Sequence, residues 1–172
     1  MASNASNNIY DSEITDKRIV PYAKNNTGTI TTQGIAIVGV GTLFTTEMRK
    51  GSFLVKLSAN EFREVDRVDS DTLAYLKSAF TADISSSTPS VINQSDARVV
   101  EVSVSIPFLN SGGGQNADGK ICYDGSGTLK RFPAGEVYTP SKANRDRSGT
   151  QDHISPVIVD FTGTEGIITV IR

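Results

Sequence analysis

The sequence predicts an all-β chain: two small β-sandwich or barrel-like modules with an extended N-terminal arm. Three observations predict it. Gly, Ser, Thr, Asn and Asp are abundant and helix formers are scarce, a composition suited to many short strands and turns. Apolar residues alternate at period two, most clearly where Val100, Val102, Val104 and Ile106 share one face and Val99, Glu101, Ser103 and Ser105 the other. Turn residues recur between these runs, among them Gln33-Gly34, Ala59-Asn60 and Asp124-Gly125. The 172 residues divide into an arm (1–27), a first module with its connector (28–95) and a second module (96–172).

In the arm, residues 1–8 are polar and of low complexity, the kind of segment that does not fold alone in water. Residues 9–22 then set Ile9, Tyr10, Ile14, Ile19, Val20 and Tyr22 into a polar strip around Pro21. Such a strip can be an edge strand of the chain's own sheet or an arm that adds to a neighbour's sheet. The expectation is the arm, with Ile9, Tyr10, Ile14, Ile19 and Tyr22 at a subunit interface.

Residues 28–76 carry the first module. Thr29 to Thr32 is rich in β-branched residues, and Ile35 to Val40 is an apolar strand too short for a helix pattern. Gly41 breaks that strand, and Phe44 folds back as a core plug. Residues 45–50 suit one helical turn, capped by Thr45 or Thr46 and released at Gly51. Phe53, Val55 and Leu57 alternate onto one face. Residues 61–68 return as a charged strand anchored by Phe62, Val65 and Val68, expected to face water or a charged partner. Asp69-Ser70-Asp71 is a turn, and residues 72–76 close the unit. Residues 77–94 form a Ser/Thr-rich connector tacked down by Phe80, Ile84, Val91 and Ile92, with the module boundary in residues 85–96.

Gly28-Thr29, Gly39-Val40-Gly41-Thr42-Leu43-Phe44, Gly51, Arg63, Val65, Val68, Ser70-Asp71-Thr72 and Leu73 make a further pattern in this stretch. On these residues the stretch resembles a small β-module of tailed-bacteriophage virion proteins found in neck, tail and head-associated components, the crAss-like group included. These residues span less than a third of the chain and are turn or core positions, so the resemblance implies fold and setting, not chemistry. It implies that Gly39, Gly41, Phe44, Gly51, Val65 and Asp71 are core and turn determinants of the module.

In the second module, residues 98–106 form the cleanest strand and Pro107 stops it. Residues 120–123 and 128–132 form a hairpin around Asp124-Gly125. Residues 136–138 follow a Pro-Ala-Gly turn. A long polar loop, 139–152, carries Lys142, Arg145 and Arg147, which are expected to meet the acidic strand 61–66 of an adjacent subunit. Residues 154–161 and 167–171 are expected to form a final hairpin around 162–166. This half resembles small phage β-sandwich modules more loosely.

Few residues point to chemistry. One His (His153) and one Cys (Cys122) make neither a zinc ligand set within the chain nor a motif for a nucleophilic pair. Asp66, Asp69 and Asp71 lack calcium-loop spacing and read as a solvated turn. Gly39-Val40-Gly41 lacks the third Gly and following helix of a phosphate loop. A net charge of −2 gives no overall attraction to nucleic acid, and no apolar run reaches membrane-span length. The N-terminus has no signal-peptide pattern, so Asn4, Asn25 and Asn93, each in Asn-x-Ser/Thr, read as chance sequons. The expectation is a non-enzymatic virion protein without cofactors. It is a homo-oligomer, expected as a neck or tail ring or connector, whose partners are other virion proteins. The alternatives are a capsid-decorating or head-fibre protein and a receptor- or carbohydrate-binding module; absence of Trp disfavours the last.

Overall fold

A computed structural model describes residues 9–93, 101–140, 142–143 and 153–171. The chain is all-β, with a single short α-helix among the described residues. It begins with β1 (Ile9–Ile14) and β2 (Lys17–Val20). The first module follows: β3 (Lys24–Asn25), β4 (Thr29–Gln33), β5 (Ala36–Val40), α1 (Phe44–Glu47), β6 (Phe53–Lys56), β7 (Glu61–Ser70), β8 (Leu73–Leu76) and β9 (Ser90–Ile92). These strands make one seven-stranded sheet in the order β3-β9-β6-β7-β8-β5-β4.

Alternation sets the faces of that sheet. Ile30 and Thr32 of β4 and Ile37 and Gly39 of β5 point inward, and their neighbours point out. The sheet curls around Ile30, Ile37, Phe44, Met48, Leu54, Val65, Ala74, Leu76, Phe80, Ile84 and Val91. The edge of β4 is covered by the chain's own 84–87 segment. Ile30 and Ser87 exchange backbone hydrogen bonds at 2.8 and 3.1 Å, and Thr32 N–H donates to the Ile84 carbonyl at 2.9 Å. Residues 90–92 belong to the first module, because β9 pairs with β3 and β6 and buries Val91 and Ile92, and the expected division between residues 95 and 96 lies outside the described residues. The β4–β5 turn sits at Gly34-Ile35, one residue later than expected, with Gly34 at φ 59°.

The second module adds β10 (Glu101–Ser105), β11 (Gly119–Cys122), β12 (Lys130–Phe132), β13 (Val137–Tyr138), β14 (Lys142–Ala143), β15 (His153–Ile154), β16 (Val157–Asp160) and β17 (Gly166–Ile171). Two four-stranded sheets, β1-β17-β10-β13 and β12-β11-β16-β2, share one core. Ile14, Val20, Val102, Val104, Ile106, Ile121, Phe132, Val157, Val159, Phe161 and Ile168 fill it. The short pair β14–β15 stands apart from both sheets.

Two expectations are corrected here. The described part of the arm is not an arm. β1 pairs antiparallel with β17 over its whole length and β2 with β16, so residues 9–20 complete the second module's two sheets. Their physical reason for staying is burial: Ile14, Ile19 and Val20 lose nearly all their exposure inside their own chain. The final hairpin is also absent, since β16 and β17 lie in different sheets. Phe161, wholly buried, marks the crossing. Its ring occupies the space that a side chain on Gly119 or Gly166 would need. The β11–β12 hairpin stands as expected.

A third core fuses the modules. Ile19, Ala23, Val55, Phe62, Ile92, Cys122 and Ile158 are buried together, drawn from both halves of the chain.

Candidate interaction surfaces

The module determinants come together as one staple. Asp71, in the β7–β8 turn, holds the start of α1. Its carboxylate accepts from Thr45 N–H at 3.0 Å and from the Thr45 hydroxyl, and its carbonyl accepts from the Thr42 hydroxyl at 2.5 Å. The Thr45 hydroxyl, then its N–H, hold the Asp71 carboxyl below the ordinary aspartate range. The expected cap is corrected: Leu43 is the N-cap and makes no side-chain cap bond, so Asp71 supplies the capping from across the module. Phe44, at 0% exposure, plugs the core as expected. A Cβ on Gly39 would overlap Thr42 and lie 2.8 Å from the Phe44 ring. Gly41 and Gly51 have φ of 64° and 86°, which favour glycine. Gly51 N–H donates to the carbonyl of the fully buried Val65 at 2.8 Å.

The charged strand β7 makes ion pairs within its own chain, buried at its start and increasingly exposed toward Ser70. Glu61 is 2% exposed, accepts from Thr81 N–H at 3.1 Å and lies 3.6 Å from the Arg63 guanidinium. Glu64 pairs with Lys77, Asp66 with Lys50 and Asp69 with Arg67, each within the chain. Each carboxylate expected to meet the loop cations thus has a cation of its own chain within 4 Å. Arg145 and Arg147 lie outside the described residues, as do the loop positions 144–152. Lys142 starts β14, whose backbone pairs with β15. Asp66, Asp69 and Asp71 each have a separate partner. Among the described residues no cluster of three His, Cys, Asp or Glu could hold a metal.

Arg63 ties the modules together. Its guanidinium donates to the carbonyls of Ala79, Phe62 and Gly125 at 2.8, 2.9 and 2.5 Å and stacks over Phe80. Asn60 reaches the Gly127 carbonyl at 3.2 Å from the same side. Cys122 is buried at this junction, its Sγ 3.3 Å from the Asp124 carboxylate and 3.5 Å from the Asn60 carbonyl. It acts as a small core residue with weak polar contacts.

A cavity of about 230 Å³ opens between the end of β6 and the segment 83–90, over Ile30, Leu54 and Ile84. Its rim is self-satisfied. Lys56 Nζ donates to the Ala82 carbonyl at 2.7 Å, and Asp83 accepts from the Thr32 hydroxyl and Gly34 N–H. Tyr123 and Tyr138 stack at 5.9 Å, and Lys130 Nζ lies over the Tyr123 ring. That ring therefore already carries two partners.

Among the described residues, apolar surface also lies in water. On β5, Val38 and Val40 are 44% and 72% exposed. On the second module, Phe108, Leu109 and Val137 are 59%, 54% and 64% exposed. Of the expected interface residues, Tyr22 alone is shown in water, at 86%; Ile14 and Ile19 are buried in their own chain, and the side chains of Ile9 and Tyr10 lie outside the described residues. The exposed valines were hidden in the sequence, because a Val-rich strand reads the same whether one or both faces are covered. No protein-family model, curated protein or solved structure matches this chain.

Proposed function

We propose that this protein is a structural component of a tailed-phage particle, a neck or tail ring or connector that acts by holding subunits in place. The observation that carries the reading is a two-module body fused through its own core that still exposes uncharged apolar surface on each module. The resemblance of residues 28–76 to phage β-modules supplies the setting. In such a role the mechanism is geometric: a body that keeps its shape presents fixed faces, and closed symmetry leaves none of them in water.

The test is quantitative mass spectrometry of purified particles from a phage that encodes this chain. The expected result is a fixed copy number of the same order as the other ring proteins. Absence from washed particles, with the chain free in the lysate, would overturn the reading.

A further inference from the structure

We infer that residues 82–88 form a strap that guards the edge of β4 and lifts away before the rest of the module opens, with Lys56 as its latch. The inference goes beyond the assembly reading and does not depend on it.

The first module nearly closes on itself. β3 and β4 are consecutive pieces of one run, and residues 84–91 lie antiparallel beside both. Lys24 pairs with Val91 and Asn25 with Ser90, Asn26 N–H donates to the Pro89 carbonyl at 2.8 Å, and Ile30 and Thr32 bond to Ser87 and Ile84. On its other side this returning segment meets β6, through Ile92, Val91 and Ser90. That ladder ends at the Val55–Ser90 pair, because β6 soon gives way to a short 3₁₀ turn at Leu57–Ala59. Beyond it, the cavity of about 230 Å³ lies between Lys56, Leu57 and Ser58 on one wall and residues 83–90 on the other. The strap therefore has a strand on one side and a gap on the other.

The hydrogen bonds that cross the gap come from Lys56. Its ammonium donates to the carbonyls of Ala82 at 2.7 Å and Asp83 at 3.4 Å. These bonds are charge-assisted and land at the head of the strap.

Three further observations set the strap apart. It is poorly anchored: Ile84 is buried, whereas Ser85, Ser86, Ser87 and Thr88 lie in water. Ser86 sits at φ 42°, in the left-handed region, where a residue with a Cβ is strained. Both ends are tied down independently of the middle. Before the strap, Arg63 donates to the Ala79 carbonyl, Thr81 N–H donates to Glu61, and Phe80 is buried. After it, Val91 and Ile92 are buried in β9. The middle lifts while its ends stay, since few buried apolar contacts and water-facing hydrogen bonds are what let a segment open locally.

What the strap guards is hydrogen-bonding capacity. With it lifted, Ile30 N–H, Thr32 N–H and the Ile30 carbonyl lose their partners, and a bare strand edge is a template for another chain. Closed, the strap keeps that edge paired within its own module.

The test is amide hydrogen exchange of the full chain, read residue by residue by NMR. The reporters are Ile30, Thr32, Ile84 and Ser87, whose N–H groups bond between β4 and the strap. The references are Val65 and Leu76, buried residues whose N–H groups donate to the Ser52 and Ile35 carbonyls. In the wild type the four reporters should exchange together, at least about tenfold faster than the references. Lys56→Met keeps the aliphatic stem and removes the ammonium. It should speed the reporters by a further factor of roughly 3 to 10, the net effect of one hydrogen bond, and leave the references unchanged. Wild-type reporters as slow as the references, reporters unmoved by Lys56→Met, or reporters and references accelerated alike would each overturn the inference. The wild-type comparison decides the first of these without any variant.

Discussion

Phe44 shows how much one side chain can decide. It is fully buried beneath the Asp71 staple and packs against the bare Cα of Gly39. Phe44→Ala should cost about 3–5 kcal/mol, the usual loss for a core phenylalanine, measured by thermal or denaturant unfolding. Gly39→Ala should cost about 1–3 kcal/mol for the opposite reason, because the added methyl has nowhere to go. Asp71 contributes through its charge. Its pKa is depressed in the folded state, so its contribution is complete above the ordinary aspartate value of about 3.9 and is lost as pH falls through the lower folded value. Asp71→Asn should therefore be less stable than the wild type at neutral pH, and the difference should shrink as the solution is acidified below about pH 4. These positions were legible in the sequence because the Gly-x-Gly-Thr-x-Phe run and the Ser-Asp-Thr turn are local chemistry. Glu61 was not. Its partners, Thr81 N–H and Arg63, belong to the fold, and nothing in the strand's charge pattern separates a buried carboxylate from a solvated one.

At the scale of elements, the strands of the first module follow from alternation and turn residues, and short connections give the pairs β4–β5, β6–β7 and β7–β8, while β3–β9, β6–β9 and β5–β8 join distant parts of the module. β1 and β2 escape that logic. β1 joins β17 across almost the whole chain, and a polar strip with apolar knobs fits any open sheet edge, its own or a neighbour's. Parity cannot tell the two apart. The last two strands mislead for a related reason: a Gly-bearing turn between apolar runs signals a hairpin, but here Phe161 carries the chain from one sheet to the other. If β1 belongs to the fold, Ile14→Ala should destabilise the isolated chain by about 2–5 kcal/mol in denaturant titrations. A loss below about 0.5 kcal/mol, the range of surface changes, would return β1 to the role of a free arm.

For the whole molecule, the decisive feature is the core shared between modules, closed over by Arg63. Composition and periodicity gave two modules but could not show that they are welded, since Ile19, Phe62, Cys122 and Ile158 come from distant parts of the sequence. The weld predicts one cooperative unfolding transition in calorimetry. Arg63→Ala with Phe62→Ala, which removes the Gly125 link and part of the shared core, should broaden or split it. In the role proposed above, a welded body gives assembly its fixed geometry, and that is the central claim. The most direct measurement is a cryo-electron microscopy reconstruction of the particle's neck and tail. The account predicts a ring of repeated density into which the two-module body fits as one unit. Density in which this body is absent, or projects singly, would contradict it.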